Sequence, residues 1–454
     1  MELKYEKKDV FSSLEKSEIK EVDSYAKDYI KFLNNAKTER LCTEEIEYLL
    51  SVNGFCDIAK KSKLKKGDKV YFINKDKSLF AAVIGEEKLE NGLNIIGSHI
   101  DSPRLDIKPM PLFEKYGLSF LKTVYYGGIK EYQWMSIPLA MYGVVYDKNG
   151  NKQKIAIGDK KDDPCFTIVD LLPHLAREQM KASAKDFIDP EKMAVVVGSI
   201  KDKEKTIKEN VLKILNKKYG MTEIDFARSD IEFVPAFEAK FVGLDEGLIG
   251  GYGQDDRVCS YANIRGLIEA SNEKLSKTAV SIVIDKEEIG SYGNTSMSSE
   301  SFDMFVNMLI EKTGSNVDRL QVYYNSKMLS ADVTAALNPM YEEVHDAQNA
   351  SIIGCGVSVE KYGGSAGKGG ASEASAELMS YVMKLFEESK VSAQYGTLGK
   401  IGKGGGGTIA FILANKSVDV VDCGTPILAM HSPFEVSSKY DVYMTYKAYK
   451  SFFK

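Results

Sequence analysis

Histidine and tryptophan are the scarce residues of this chain, four and one respectively in 454 positions. So few imidazoles exclude a histidine-rich metal tract and give weight to the setting of each one. The six cysteines (Cys42, Cys56, Cys165, Cys259, Cys355, Cys423) are scattered without C-x-x-C spacing. That excludes a zinc knuckle and a disulfide frame, and they read as small buried hydrophobes of a reducing cytosol. No apolar run approaches the roughly 20 residues of a membrane helix, and Met1 opens a charged stretch rather than a signal core. Sixty basic and 65 acidic side chains nearly cancel, to a net charge of -5. Nothing there points to nucleic acid or an anionic membrane. The expectation is a cytoplasmic protein without either partner.

Two motifs are missing as well. No G-x-S-x-G elbow supports a serine nucleophile. The glycine-rich stretch 396–408 does not satisfy G-x-x-x-x-G-K-[ST], and it is expected to precede a strand at 408–414. It reads as a flexible loop near a ligand rather than a phosphate cradle.

What is present predicts organisation. At about 150 residues per domain the length suggests two or three domains, and 44% apolar residues can bury a sizeable core. Helical spacing covers 14–35 and 43–53, the latter starting at Thr43-Glu44-Glu45. Strands are expected at 71–74, 79–84, 93–97, 278–284, 408–414 and 418–421. Alternating with helical segments, they argue for an α/β sheet covered on both faces. From about 103 to 240 the pattern changes to paired β-like runs, and Asp147-Lys148-Asn149-Gly150 is a strong hairpin signal. The candidate metal-site segments all lie outside this block. It reads as an inserted domain, 103–246, between catalytic segments 1–102 and 247–454.

His99, in Gly97-Ser98-His99-Ile100-Asp101-Ser102-Pro103, and His431, in Met430-His431-Ser432-Pro433, each follow a short apolar run. That is how a strand delivers a side chain to its carboxyl end. Between them come Gln254-Asp255-Asp256-Arg257, Asp285-Lys286-Glu287-Glu288-Ile289-Gly290 and Ser330-Ala331-Asp332. Imidazoles and carboxylates at strand exits are the donors of a dinuclear zinc hydrolase. Successive residues leaving a strand diverge, so one glutamate of Glu287-Glu288 can bind metal while the other serves as general base. Adjacent glutamates cannot flank a glycosidic bond at the roughly 5–9 Å a glycosidase uses. Asp255-Asp256 precedes a helical run, where aspartate commonly caps, though a carboxylate there can also face two ions. Taken alone, Asp332 reads as a turn residue, and His174 and His345 as structural or surface histidines.

Taken in order, these segments resemble the family of aspartyl aminopeptidase and yeast vacuolar aminopeptidase I, in its bacterial branch. Tyr126-Gly127-Gly128 and Pro173-His174-Leu175-Ala176 extend the resemblance through the insert. It implies a three-layer α/β/α zinc-exopeptidase domain with an inserted, mainly β, dimerisation domain. It also implies two Zn2+ per subunit (Co2+ or Mn2+ being possible): His99 and Asp332 on one ion, Glu288 and His431 on the other, Asp255 bridging. Glu287 would activate a metal-bridging water, Asp101 would orient His99, and His174 would reach a neighbouring subunit's site. Short peptides cleaved at the N-terminal residue, and dimers assembled into a dodecamer, complete the implied picture. A carboxypeptidase or amide deacylase on the same scaffold, or a metal-free assembly protein, remain alternatives. Asn338, in Asn338-Pro339-Met340-Tyr341, stands where relatives have a pocket histidine. Strict preference for an acidic residue is therefore not expected, with Lys368 the candidate partner for such a side chain.

Overall fold

The computed structural model describes residues 3–158, 160–203, 205–364 and 372–454, so Lys368 lies outside the described residues. The chain divides into two units. One is built from Met1–Asp101, Ala239–Met430 and Phe434–Lys454, the other from Ser102–Glu238 with His431–Pro433.

At the centre of the first unit, strand Leu93–His99 runs parallel to Thr278–Ile284 on one side and Lys327–Ser330 on the other. Asp419–Gly424 continues the parallel set beyond Lys327–Ser330, within a mixed sheet of nine strands. Side chains alternate across these strands and bury into two separate cores. Ile95, Val280, Ile282, Met328 and Val420 enter one; Ile96, Ala279, Val283, Leu329 and Val421 enter the other. Burial on both faces is why the strands read as nearly continuous apolar runs. Helices Lys16–Asn35, Glu39–Val52, Gln254–Ala270 and Lys439–Phe453 contribute to the second of these cores, and Ser301–Thr313 and Arg319–Tyr324 to the first.

Two sequence expectations change here. Helix Glu39–Val52 begins before Thr43, because the Thr38 hydroxyl accepts the Leu41 N–H (3.3 Å) and caps it. The apolar run 408–414 is not a strand. Ala410–Ala414 is helical, with the Thr408 hydroxyl accepting the Ala410 N–H at 3.2 Å. Ala410, Ile412 and Leu413 are buried while Phe411 turns outward, a one-sided pattern that a short run hides. The glycine-rich stretch thus leads from strand Ala393–Tyr395 into a helix, although the phosphate motif is still missing and that helix has only 5 residues.

A smaller sheet orders Lys240–Val242, Leu248–Gly251, Glu435–Ser438, Pro426–Leu428 and Thr334–Ala335. Pairing of Lys240–Val242 with Leu248–Gly251 assigns 239–246, expected in the insert, to the first unit.

The second unit is an antiparallel sheet of six strands, in the order Lys152–Ile157, Leu139–Tyr146, Ser229–Pro235, Arg104–Lys115, Leu118–Tyr126 and Ala194–Gly198. The hairpin of Leu139–Tyr146 and Lys152–Ile157 turns at Asp147, whose carboxylate accepts the N–H groups of Asn149 and Asn151, both at 2.8 Å. Among the described residues, no helix is long and apolar enough to cross a membrane.

Candidate metal centre

In open α/β sheets, sites gather outside the carboxyl ends of the strands, and here three parallel central strands end together. His99 closes its strand with 2% exposure. Its Nδ1 lies 3.0 Å from the Asp101 carbonyl and 3.4 Å from the Asp101 carboxylate. Nδ1 therefore carries the proton, and Nε2 turns toward other carboxylates. Asp255 Oδ1 is 3.1 Å from it, Asp332 Oδ1 3.7 Å and Glu287 Oε2 3.9 Å.

Each carboxylate owes its place to a local device. Gly253, at φ 74°, precedes Asp255 and Asp256, and both aspartates depart from helical dihedrals at the head of Gln254–Ala270. The two carboxylates consequently diverge. That of Asp255 meets the imidazole of His99, while that of Asp256 accepts the His99 backbone N–H at 3.2 Å. Past strand Thr278–Ile284, Lys286 (φ 72°) and Gly290 (φ 93°) bracket the tight turn Glu287–Ile289. The two Asp101 carboxylate oxygens accept the Glu287 N–H (3.1 Å) and the Glu288 N–H (3.2 Å). Asp332 passes so close to Gly424 that a Cβ there would stand 1.7 Å from the Asp332 carbonyl oxygen.

Donor atoms of His99, Glu287 and Asp332, and of His99, Asp255 and Glu288, form two sets, each within 4.8 Å of one another. The sequence-predicted residues His99, Asp101, Asp255, Glu287, Glu288 and Asp332 are thus brought together. His431 and His174 are described with the second unit. There His431 Nδ1 donates to the Gly128 carbonyl at 2.7 Å. A Cβ at Gly128 would lie 3.3 Å from Nδ1, close enough that the ring would have to give by a few tenths of an ångström. His174 is exposed, in a turn where the Leu172 carbonyl accepts the Leu175 N–H. His345 is buried, and its Nε2 accepts the Asn338 N–H at 3.3 Å.

Crowded carboxylates set the electrostatics. Burial alone would lower the His99 pKa, but bonds to Asp101, Asp255 and Asp332 outweigh it and hold it well above 6.5. Burial pushes Glu287 up to about 8, with Asp332, Asp101 and Asp255 adding to the rise and His99 opposing it. Such a cluster attracts positive charge. The donor set, one imidazole and four carboxylates at ligand spacing, fits zinc. Sequence reasoning missed two buried carboxylates, Asp256 and Glu435. Asp256 was marked only by its neighbour, whereas nothing local marked Glu435. Asp285 is an anchor, its carboxylate bonded to Thr295 (2.5 Å) and paired with Lys286 (3.2 Å).

Comparison with known proteins shows the family. A probable M18 family aminopeptidase 1 of Borrelia garinii is 44% identical, covering 99% of each chain. The crystal structure of a Thermotoga maritima M18 aminopeptidase superposes with a TM-score of 0.95 at 42% identity, covering 99% of this chain and 100% of that one. Aminopeptidase I of Clostridium acetobutylicum gives 0.94 at 39% identity, covering 100% of both. The family description "Aminopeptidase I zinc metalloprotease (M18)" matches residues 32–453. With its carboxylate-rich cluster at the sheet's carboxyl edge, this chain belongs to the M18 family of zinc aminopeptidases.

Proposed function

We propose that the protein is a two-zinc aminopeptidase that removes the N-terminal residue from short peptides. The observation carrying this reading is the convergence of His99, Asp255, Glu287, Glu288 and Asp332 within ligand distance. His99 and Asp332 would hold one ion, Glu288 and His431 the other, and Asp255 would bridge. Bound there, zinc supplies Lewis acidity to the scissile carbonyl and lowers the pKa of water toward about 7. Glu287 takes the proton of the attacking water and returns it to the leaving amine. Asp101 keeps His99 in the tautomer with Nδ1 protonated. The first unit is read as a three-layer α/β/α domain and the second as an inserted dimerisation domain. Dimers assemble into a cytoplasmic dodecamer, with Co2+ or Mn2+ as substitute metals.

Peptides with a free α-amine should be cleaved and their N-acetylated twins spared; equal cleavage of both would sink the aminopeptidase reading. Dialysis against a strong chelator should reduce turnover at least a hundredfold, and stoichiometric zinc should restore it. Activity that survives with zinc content near zero would argue for metal-free chemistry.

Acidic N-terminal residues should not be strongly preferred. Glu360 and Asp422 are register partners on neighbouring strands beside Lys327–Ser330. Burial raises Glu360 to about 7 and Asp422 to about 6, with Asp332 adding to each. Asn338, in place of the pocket histidine of relatives, offers no cationic donor to an acidic side chain. In a screen of aminoacyl amides, Asp and Glu substrates exceeding neutral ones by a hundredfold would refute this.

A further inference from the structure

The bridging candidate Asp255 sits where the backbone is least able to satisfy itself. The first N–H groups of a helix have no partner within it. Gly253, which precedes this one, offers no side chain, and the non-helical dihedrals of Asp255 and Asp256 open the first turn further. The acceptor comes from 180 residues away. Glu435, 1% exposed at the start of strand Glu435–Ser438, takes the Asp255 N–H on its Oε2 at 3.1 Å. Gln254 fixes that strand in turn. Its Nε2 donates to the Glu435 carbonyl (2.7 Å) and the Ile249 carbonyl (3.1 Å), and its Oε1 accepts from Ser437 (2.6 Å).

A pattern surrounds this contact. The backbone N–H of His99 is held by Asp256, those of Glu287 and Glu288 by Asp101, and that of Asp255 by Glu435. All three of these carboxylates are buried. Charge-assisted bonds of this kind are stronger than neutral ones, and a buried amide left without an acceptor is costly. Side chains that must meet a metal with little freedom gain from having their main chain clamped.

We propose that Glu435 is a positioning residue of the metal centre, clamping the backbone of Asp255 so that its carboxylate faces His99. The proposal rests on the two-zinc reading above. It assigns Glu435 to zinc affinity through an acceptor oxygen, not through its charge and not through general stability.

The test is zinc titration of the full-length, metal-stripped protein against a chromophoric chelator, with melting of the same metal-free samples recorded in parallel. Glu435→Ala should weaken zinc binding about 10–100-fold, the range typical for partners that orient ligands, while the metal-free melting temperature stays within a few degrees of the parent. Glu435→Gln keeps an acceptor oxygen and should bind zinc within about threefold of the parent, a rescue that a charge role would not give. Parent-like affinity in Glu435→Ala overturns the proposal, as does a Gln variant as weak as the Ala variant. If Glu435→Ala does not fold, Glu435→Asp, whose shorter arm withdraws the acceptor, carries the comparison with the same two outcomes. Parent protein and Asp255→Ala in the same titration separate the two levels. A parent that fails to take up two zinc ions, or Asp255→Ala binding as the parent does, removes the two-zinc reading itself.

Discussion

Glu287→Gln is expected to lower kcat by at least about 10²–10⁴-fold, the range for loss of a general base, with zinc content near that of the parent. Glu288→Gln should instead lose zinc, and lose turnover as a consequence. The two glutamates are adjacent, yet their donors fall into different groups around His99, Glu287 with Asp332 and Glu288 with Asp255. Glu287 approaches the imidazole only to 3.9 Å, a separation that leaves it room to act on water. Zinc per subunit and steady-state kinetics, measured on one preparation of each variant, decide the matter. Metal loss in Glu287→Gln with full occupancy in Glu288→Gln would exchange the roles.

His174→Ala should assemble normally and be nearly inactive. His174 is exposed, and Leu171, Leu172 and Leu175 around it are at least half exposed. Apolar side chains grouped in this way mark a surface that another chain covers. In the reading proposed above, a second copy covers it and receives His174 in its own site, so that an isolated subunit would lack one catalytic donor. Mixing His174→Ala with Glu287→Gln under conditions of subunit exchange should restore part of the activity. Intact sites arise wherever a subunit with Glu287 receives His174 from its neighbour. Full turnover by a monomer verified in the centrifuge would rule this out.

The parts of the site visible in the sequence were those tied to strand ends. His99, Glu287, Glu288 and Asp332 follow apolar runs whose burial on both faces makes them easy to find, but position alone left Asp332 a turn residue, and only the resemblance of the ordered segments to a known family gave each side chain a role. What could not be read depended on distant pairing. The acceptor for the Asp255 N–H is Glu435, and the carbonyl that orients His431 belongs to Gly128; no periodicity links residues so far apart. The run 408–414 failed for another reason. Five helical residues are too few to display a helical period, and β-branched composition pointed the other way. The expected boundary at 246 lies beyond the division at Ala239, because Lys240–Val242 resembles the β-rich block before it, yet pairs with the strand that follows.

Strand Leu93–His99 lies between Thr278–Ile284 and Lys327–Ser330, and that arrangement bears on how the protein is made. When His99 leaves the ribosome, neither of its sheet neighbours exists. At the roughly 5–20 residues per second of translation, Thr278–Ile284 follows about ten to forty seconds later. Over that interval a strand with Leu93, Ile95 and Ile96 waits with both edges unpaired, while the whole antiparallel sheet of 102–238 is synthesised and free to fold. Parallel pairings between such distant segments are slow and exposed to aggregation. The nascent chain should therefore lean on holding chaperones until residue 284 or beyond, and ribosome-bound chains stalled near residue 250 should be the most prone to aggregate.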